Sequence, residues 1–140
     1  MSEIVYPDEQ ILRAWVKTIS DSKLFPADLL PDFNEIWFKE VISFIELLKL
    51  SHYKENIHHK AAHLFYKIAK GHRFTDGNKR SAVIALNLFL VVNLYVLKQT
   101  PQEIYKLALD VVNSQSNESG NEIEKLEKNV QKIQHTLHLS

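Results

Sequence analysis

The chain contains no cysteine, one methionine, three glycines and four prolines in 140 residues. Without cysteine there is no disulfide framework and no thiol chemistry, which suits a reducing compartment. So few glycines and prolines leave few places where the backbone must break, and this points to helices. An excess of either charge is missing too: 17 basic residues face 17 acidic ones. That balance speaks against a general binder of nucleic acid or of a membrane surface, since both call for a basic excess. The opening Met1-Ser2-Glu3-Ile4-Val5-Tyr6-Pro7 has no basic segment followed by an apolar one, so no signal peptide is expected and a cytoplasmic location is. No uninterrupted apolar run reaches the roughly 20 residues that a membrane helix needs. The nearest, residues 82–97, is broken by Asn87 and Asn93 and reads as a buried central helix.

What is present is ordinary for a water-exposed domain: 45% hydrophobic and 24% charged residues. The length suits one domain, 1–140, with a real core. Pro7-Asp8-Glu9 opens a helix to about Ile19, with Ile11, Leu12, Trp15, Val16 and Ile19 on one face. Residues 21–31 connect it to a second helix, capped by Asp32 and ending near Leu50, with Ile36, Trp37, Val41, Phe44, Ile45 and Leu48 as core. A third runs from about Asn56 to Lys70, burying Ala61, Leu64, Phe65 and Ile68, and Gly71 stops it. A central helix is expected over about 77–96. Thr100-Pro101-Gln102-Glu103 is a strong helix start, with Thr as cap, Pro first and Glu third. That helix runs to about Val112. After a polar linker, Ile123, Leu126, Val130, Ile133 and Leu137 mark a packing helix over about 121–138. The expectation is an all-α fold of about six helices.

Between the third and central helices stands His72-Arg73-Phe74-Thr75-Asp76-Gly77-Asn78-Lys79-Arg80. A helix start carries N–H groups at its open end and partial positive charge, so an anion, above all a phosphate, sits well there. Gly77 lets the backbone approach closely, Asn78 can donate from its amide, Lys79 offers a point charge and Arg80 a planar fork for phosphate oxygens. Asp76 is a single carboxylate beside that site, the usual means of holding Mg²⁺ when phosphates supply other ligands. His72 titrates near neutrality and can take a proton from an attacking hydroxyl. Phe74 reads as a loop anchor, and Arg73 as a solvated loop residue. Taken singly each residue has a bland reading, such as an Asp cap and a solvated Lys-Arg pair. Together they are the parts needed to move a piece of a nucleoside triphosphate onto a hydroxyl.

This stretch resembles the Fic/Doc signature, H-x-F-x-[DE]-[GA]-N-[GK]-R. The resemblance covers about 57–113 and implies a helical core with the motif loop between two central helices, leaving room for a small target-docking flap at 22–34. It implies His72 as base, Asp76 as Mg²⁺ ligand, Gly77, Asn78, Lys79 and Arg80 as phosphate clamp, Phe74 as loop anchor, and ATP as substrate. Most AMP-transferring members have Gly where Lys79 stands and a second Arg three residues after Arg80, where this chain has Val83. Lys79, Val83 and the short length resemble Doc-type toxins. These are protein kinases that present the γ-phosphate of ATP, target a threonine of elongation factor Tu, and are held in check by a small antitoxin. Gly77, where the Doc prototype has Ala, is the Fic-like feature. The alternatives are therefore an adenylyltransferase or a non-catalytic domain that binds nucleotide or a partner.

Two weaker signals carry less. His59 and His63 are four residues apart, a metal-ligand spacing, but only Glu55 offers a third ligand, so a partly exposed helical face is the better reading. Ser51-His52-Tyr53-Lys54-Glu55-Asn56 loosely fits the Fic inhibitory helix, but the arginine that its Glu would pair with is Val83 here. It reads as coincidence.

Overall fold

In a computed structural model the described residues, 4–23, 25–50, 57–71, 77–95 and 100–112, are all-α. They form five α-helices and one short 3₁₀ turn: α1 Glu9–Asp21, the turn Ala27–Leu29, α2 Glu35–Leu50, α3 Ile57–Lys70, α4 Asn78–Val92 and α5 Pro101–Val112. The packing helix expected at 121–138 lies outside the described residues, as does the loose pattern at 51–56.

Asp8 caps α1, its Oδ1 accepting from Ile11 N–H at 2.8 Å. Leu12, Val16 and Ile19 are buried at three- and four-residue spacing. Ile11 is 38% exposed, so its expected place in the core is corrected: it sits at the edge of that stripe. On α2 the cap is Asn34, not Asp32. Its Oδ1 accepts from Trp37 N–H at 2.8 Å, and only the residue just before the first turn can reach that amide. Trp37, Phe38, Val41, Ile45 and Leu48 are buried, whereas Ile36, expected in the core, is 66% exposed on the opposite side. Arg13 joins α1 to α2, pairing with Glu9 and Glu35 while its guanidinium lies 4.2 Å over the Phe38 ring.

Pro26 and Pro31 bracket the 3₁₀ turn. Among the described residues of 22–34 there is no strand, which corrects the hairpin form of flap expected there. Two prolines remove ladder donors where a hairpin would need them.

The centre of the fold is the α3–α4 pair, the most extensive helix contact among the described residues. Small residues, Ala61, Ala62 and Ala69 on α3 with Ala82 and Ala85 on α4, are all buried. From Ser81 to Leu90 every α4 residue except Asn87 is buried, as a central helix requires. No helix among the described residues is long and apolar enough to cross a membrane. Just past α3, position 71 needs glycine, because a Cβ there would stand 2.5 Å from the Lys67 carbonyl oxygen and 3.1 Å from the Phe44 ring. The fully buried Lys60 donates to the Leu48 carbonyl at 3.1 Å, placing a cation at the C-terminal end of α2, where the helix dipole favours one.

The central helix stops at Val92, short of the expected 96. Leu94 takes the left-handed conformation (φ 67°). Leu94 N–H then donates to the Val91 carbonyl at 2.9 Å and Tyr95 N–H to the Leu90 carbonyl at 2.8 Å, a Schellman ending. Asn93 clasps the N-terminal segment: its Oδ1 accepts from Val5 N–H at 2.7 Å and its Nδ2 donates to the Val5 carbonyl at 2.9 Å. The start of α5 is a reciprocal capping box: Glu103 N–H donates to Thr100 Oγ1 and Thr100 N–H to Glu103 Oε1.

Candidate active site

The site is built on the first turn of α4. Gly77 precedes it in the left-handed conformation (φ 85°, ψ 22°), and its carbonyl accepts from Ser81 N–H at 2.7 Å. A glycine is needed here twice over. Side-chain-bearing residues avoid this φ, and a Cβ would meet Pro31 Cβ at 3.0 Å and the Arg80 guanidinium at 3.5–3.6 Å. Backbone and guanidinium thus come together over one turn. A left-handed residue followed by a helix start curves successive N–H groups into a concave anion seat.

The first turn of α4 is held by a buried hydrogen bond. Trp37 Nε1 donates to Ser81 Oγ at 2.7 Å, with Trp37 2% and Ser81 0% exposed. This bond fastens the residue after Arg80 to the start of α2. From the 3₁₀ side, Arg80 Nη1 reaches the Leu30 carbonyl at 3.4 Å. Gly77, Lys79 and Arg80 line a recess of about 210 Å³ together with Asp28 of the 3₁₀ turn and Tyr105 of α5. Its walls are polar rather than apolar. Neither Asp28 nor Tyr105 stands out in the sequence, because only tertiary packing sets them beside the start of α4.

Of the expected site residues, Gly77, Asn78, Lys79 and Arg80 are brought to this one turn. His72, Arg73, Phe74 and Asp76 lie outside the described residues. Val83, the position that would carry a second clamp arginine, points into the core and is 3% exposed.

Residues 28–90 match the model of the Fic/DOC family. This stretch is similar to the Fic/DOC family domain. The match begins at the 3₁₀ turn that carries Asp28, earlier than the 57–113 core expected from the motif, and ends at Leu90 on α4. No curated protein and no solved structure matches the chain. The Fic/DOC family suggests a protein-modifying transferase acting from a nucleotide. The described residues fit the phosphates of such a nucleotide: a left-handed glycine, a helix start, a lysine and an arginine face one polar recess.

The histidines of α3 are arranged differently from the expected partly exposed face. His58 and His59 are half-buried, but His63 is 4% exposed. Burial, with Lys67, His59 and Lys60 adding positive charge, pushes the His63 pKa down to about 4, so it is neutral at pH 7. Among the described residues no three His, Asp or Glu side chains gather as metal ligands.

Proposed function

We propose that this chain is a Doc-like toxin, a protein kinase that transfers the γ-phosphate of ATP to a threonine or serine hydroxyl of a bacterial protein. Elongation factor Tu is the candidate target, translation arrest the result, and the cytoplasm the place. The target hydroxyl oxygen attacks the γ-phosphorus, the bond to the β–γ bridging oxygen breaks, ADP leaves, and the hydroxyl proton passes to His72. The Gly77–Arg80 turn holds the phosphates and neutralises charge, so catalysis is largely positioning. Mg²⁺, when bound with ATP, adds further neutralisation of phosphate charge, and Asp76 is the carboxylate suited to hold it. A small antitoxin restrains the toxin in trans.

The observation that carries the phosphate direction is Val83. Where most AMP-transferring relatives have a second arginine, this chain has a side chain sealed in the core, beside a clamp that uses Lys79. Gly77 favours the second reading, AMP transfer from the α-phosphate. The test incubates the protein and its His72→Ala variant with Mg²⁺ and a bacterial lysate, with ATP labelled at either phosphate. His72-dependent γ-label on a protein of the size of elongation factor Tu is the expected result. α-Label would overturn the kinase reading in favour of AMP transfer, and no label from either would overturn both.

A further inference from the structure

The recess at the clamp is lined by two chemically different sets of groups. One set is Lys79 and Arg80 at the start of α4. The other is Asp28, exposed on the 3₁₀ turn, and Tyr105, which packs on the core from α5. Asp28 and Lys79 line the same space, yet no ion pair joins them among the described residues. Their charged groups therefore stand beyond ion-pairing distance of each other.

The chemistry narrows what ligand group suits the recess. A recess of about 210 Å³ has room for a sugar with its adjoining phosphate. A carboxylate only accepts hydrogen bonds, and a phenol can donate or accept, so Asp28 and Tyr105 suit hydroxyl groups. A basic target side chain fits poorly, because among the described residues two cations line the space against one acid. The polar walls do not suit the face of a base. An anion joined through a few bonds to neighbouring hydroxyls is the ribose-phosphate portion of a nucleotide. Carboxylates recognise ribose hydroxyls in this way on unrelated folds.

We infer that Asp28 and Tyr105 determine specificity for the nucleoside, accepting the ribose hydroxyls of a ribonucleotide whose phosphates rest on Gly77–Arg80. This rests on the reading of that turn as a phosphate clamp. Asp28 thereby ties the 3₁₀ turn to the choice of nucleotide, although it stands more than forty residues before the motif.

The test is calorimetric titration of the full chain, in Mg²⁺, with ATP, 2′,3′-dideoxy-ATP and inorganic tripolyphosphate. Wild type is expected to bind ATP about tenfold or more tightly than the dideoxy analogue, the worth of one charge-assisted hydrogen bond. Asp28→Ala should weaken ATP by a similar factor and no longer distinguish it from the dideoxy analogue. The same variant should bind tripolyphosphate as well as wild type or better, because a negative charge beside the phosphates has gone. Tyr105→Phe should weaken ATP a few-fold and leave tripolyphosphate unchanged. Equal gains for ATP and tripolyphosphate in Asp28→Ala would mean that Asp28 only repels phosphate, and equal losses that it serves the phosphates through the metal. Either result overturns the inference and leaves the clamp standing. Wild type that binds neither ATP nor tripolyphosphate would overturn the clamp itself. Asp28 is exposed, so Asp28→Ala is expected to fold, and circular dichroism checks this.

Discussion

Removing one hydroxyl, in Ser81→Ala, tests how the clamp is held. Ser81 Oγ is the acceptor for Trp37 Nε1 at 2.7 Å, and both residues are buried. Taking away the acceptor of a buried N–H costs on the order of 1–3 kcal/mol, since water cannot replace it. Alanine is the better helix former by about 0.5 kcal/mol, which offsets part of that loss. The expected net destabilisation is about 1–2 kcal/mol. For a domain of this size that lowers the melting temperature by about 3–7 °C. The measurement is urea unfolding at pH 7.5 for wild type, Ser81→Ala, Trp37→Phe and the double variant. Trp37→Phe also opens a cavity, so its own cost exceeds that of the hydrogen bond. The cycle cancels the cavity and leaves the coupling between the two side chains, expected near 1 kcal/mol. Because the bond fastens the clamp turn to α2, Ser81→Ala should also weaken ATP binding under conditions where it remains folded. A coupling indistinguishable from zero would refute the claim that this bond pins the start of α4.

Two further outcomes follow from the same region and its neighbour. Gly77→Ala should cost about 1–2 kcal/mol from the left-handed φ and the close approach to Pro31, whereas Gly77→Asn should cost less, because Asn tolerates that conformation; equal melting temperatures for the two variants would argue against the left-handed turn. His63 binds fewer protons folded than unfolded between pH 4 and 6.5, so its contribution to stability is complete above about pH 6.5 and lost as pH falls toward 4, by at most about 3 kcal/mol. Denaturant unfolding across that window should show a shallower acid loss in His63→Leu than in wild type, and parallel profiles would remove His63 as the cause.

The parts of this protein that were legible in its sequence are those decided by neighbours in the chain. Thr100 and Glu103 form their capping box because the spacing alone brings each side chain to the other's amide. The long apolar run of 81–90 reads as a buried central helix because no other placement hides so much apolar surface. The clamp residues Gly77–Arg80 fall on one turn for the same local reason. α4 ends short of the expected 96 because Leu94, not a glycine, takes the left-handed conformation, and hydrogen bonds to Leu90 and Val91 hold the ending there. Ile11 and Ile36 were misplaced because hydrophobicity shows that a side chain can be buried, not which direction its helix will face.

Tertiary structure alone decided the rest. Asp28 and Tyr105 meet the clamp because a 3₁₀ turn, α4 and α5 converge at one recess, and no spacing in the chain encodes that meeting. Trp37 and Ser81 are 44 residues apart, and only the packing of α2 against the start of α4 makes them donor and acceptor. His63 loses its proton affinity through burial and the charges packed around it, properties of the folded environment. Local sequence chose the chemical groups. The energy of excluding water from α3 and α4 chose which of them face one another.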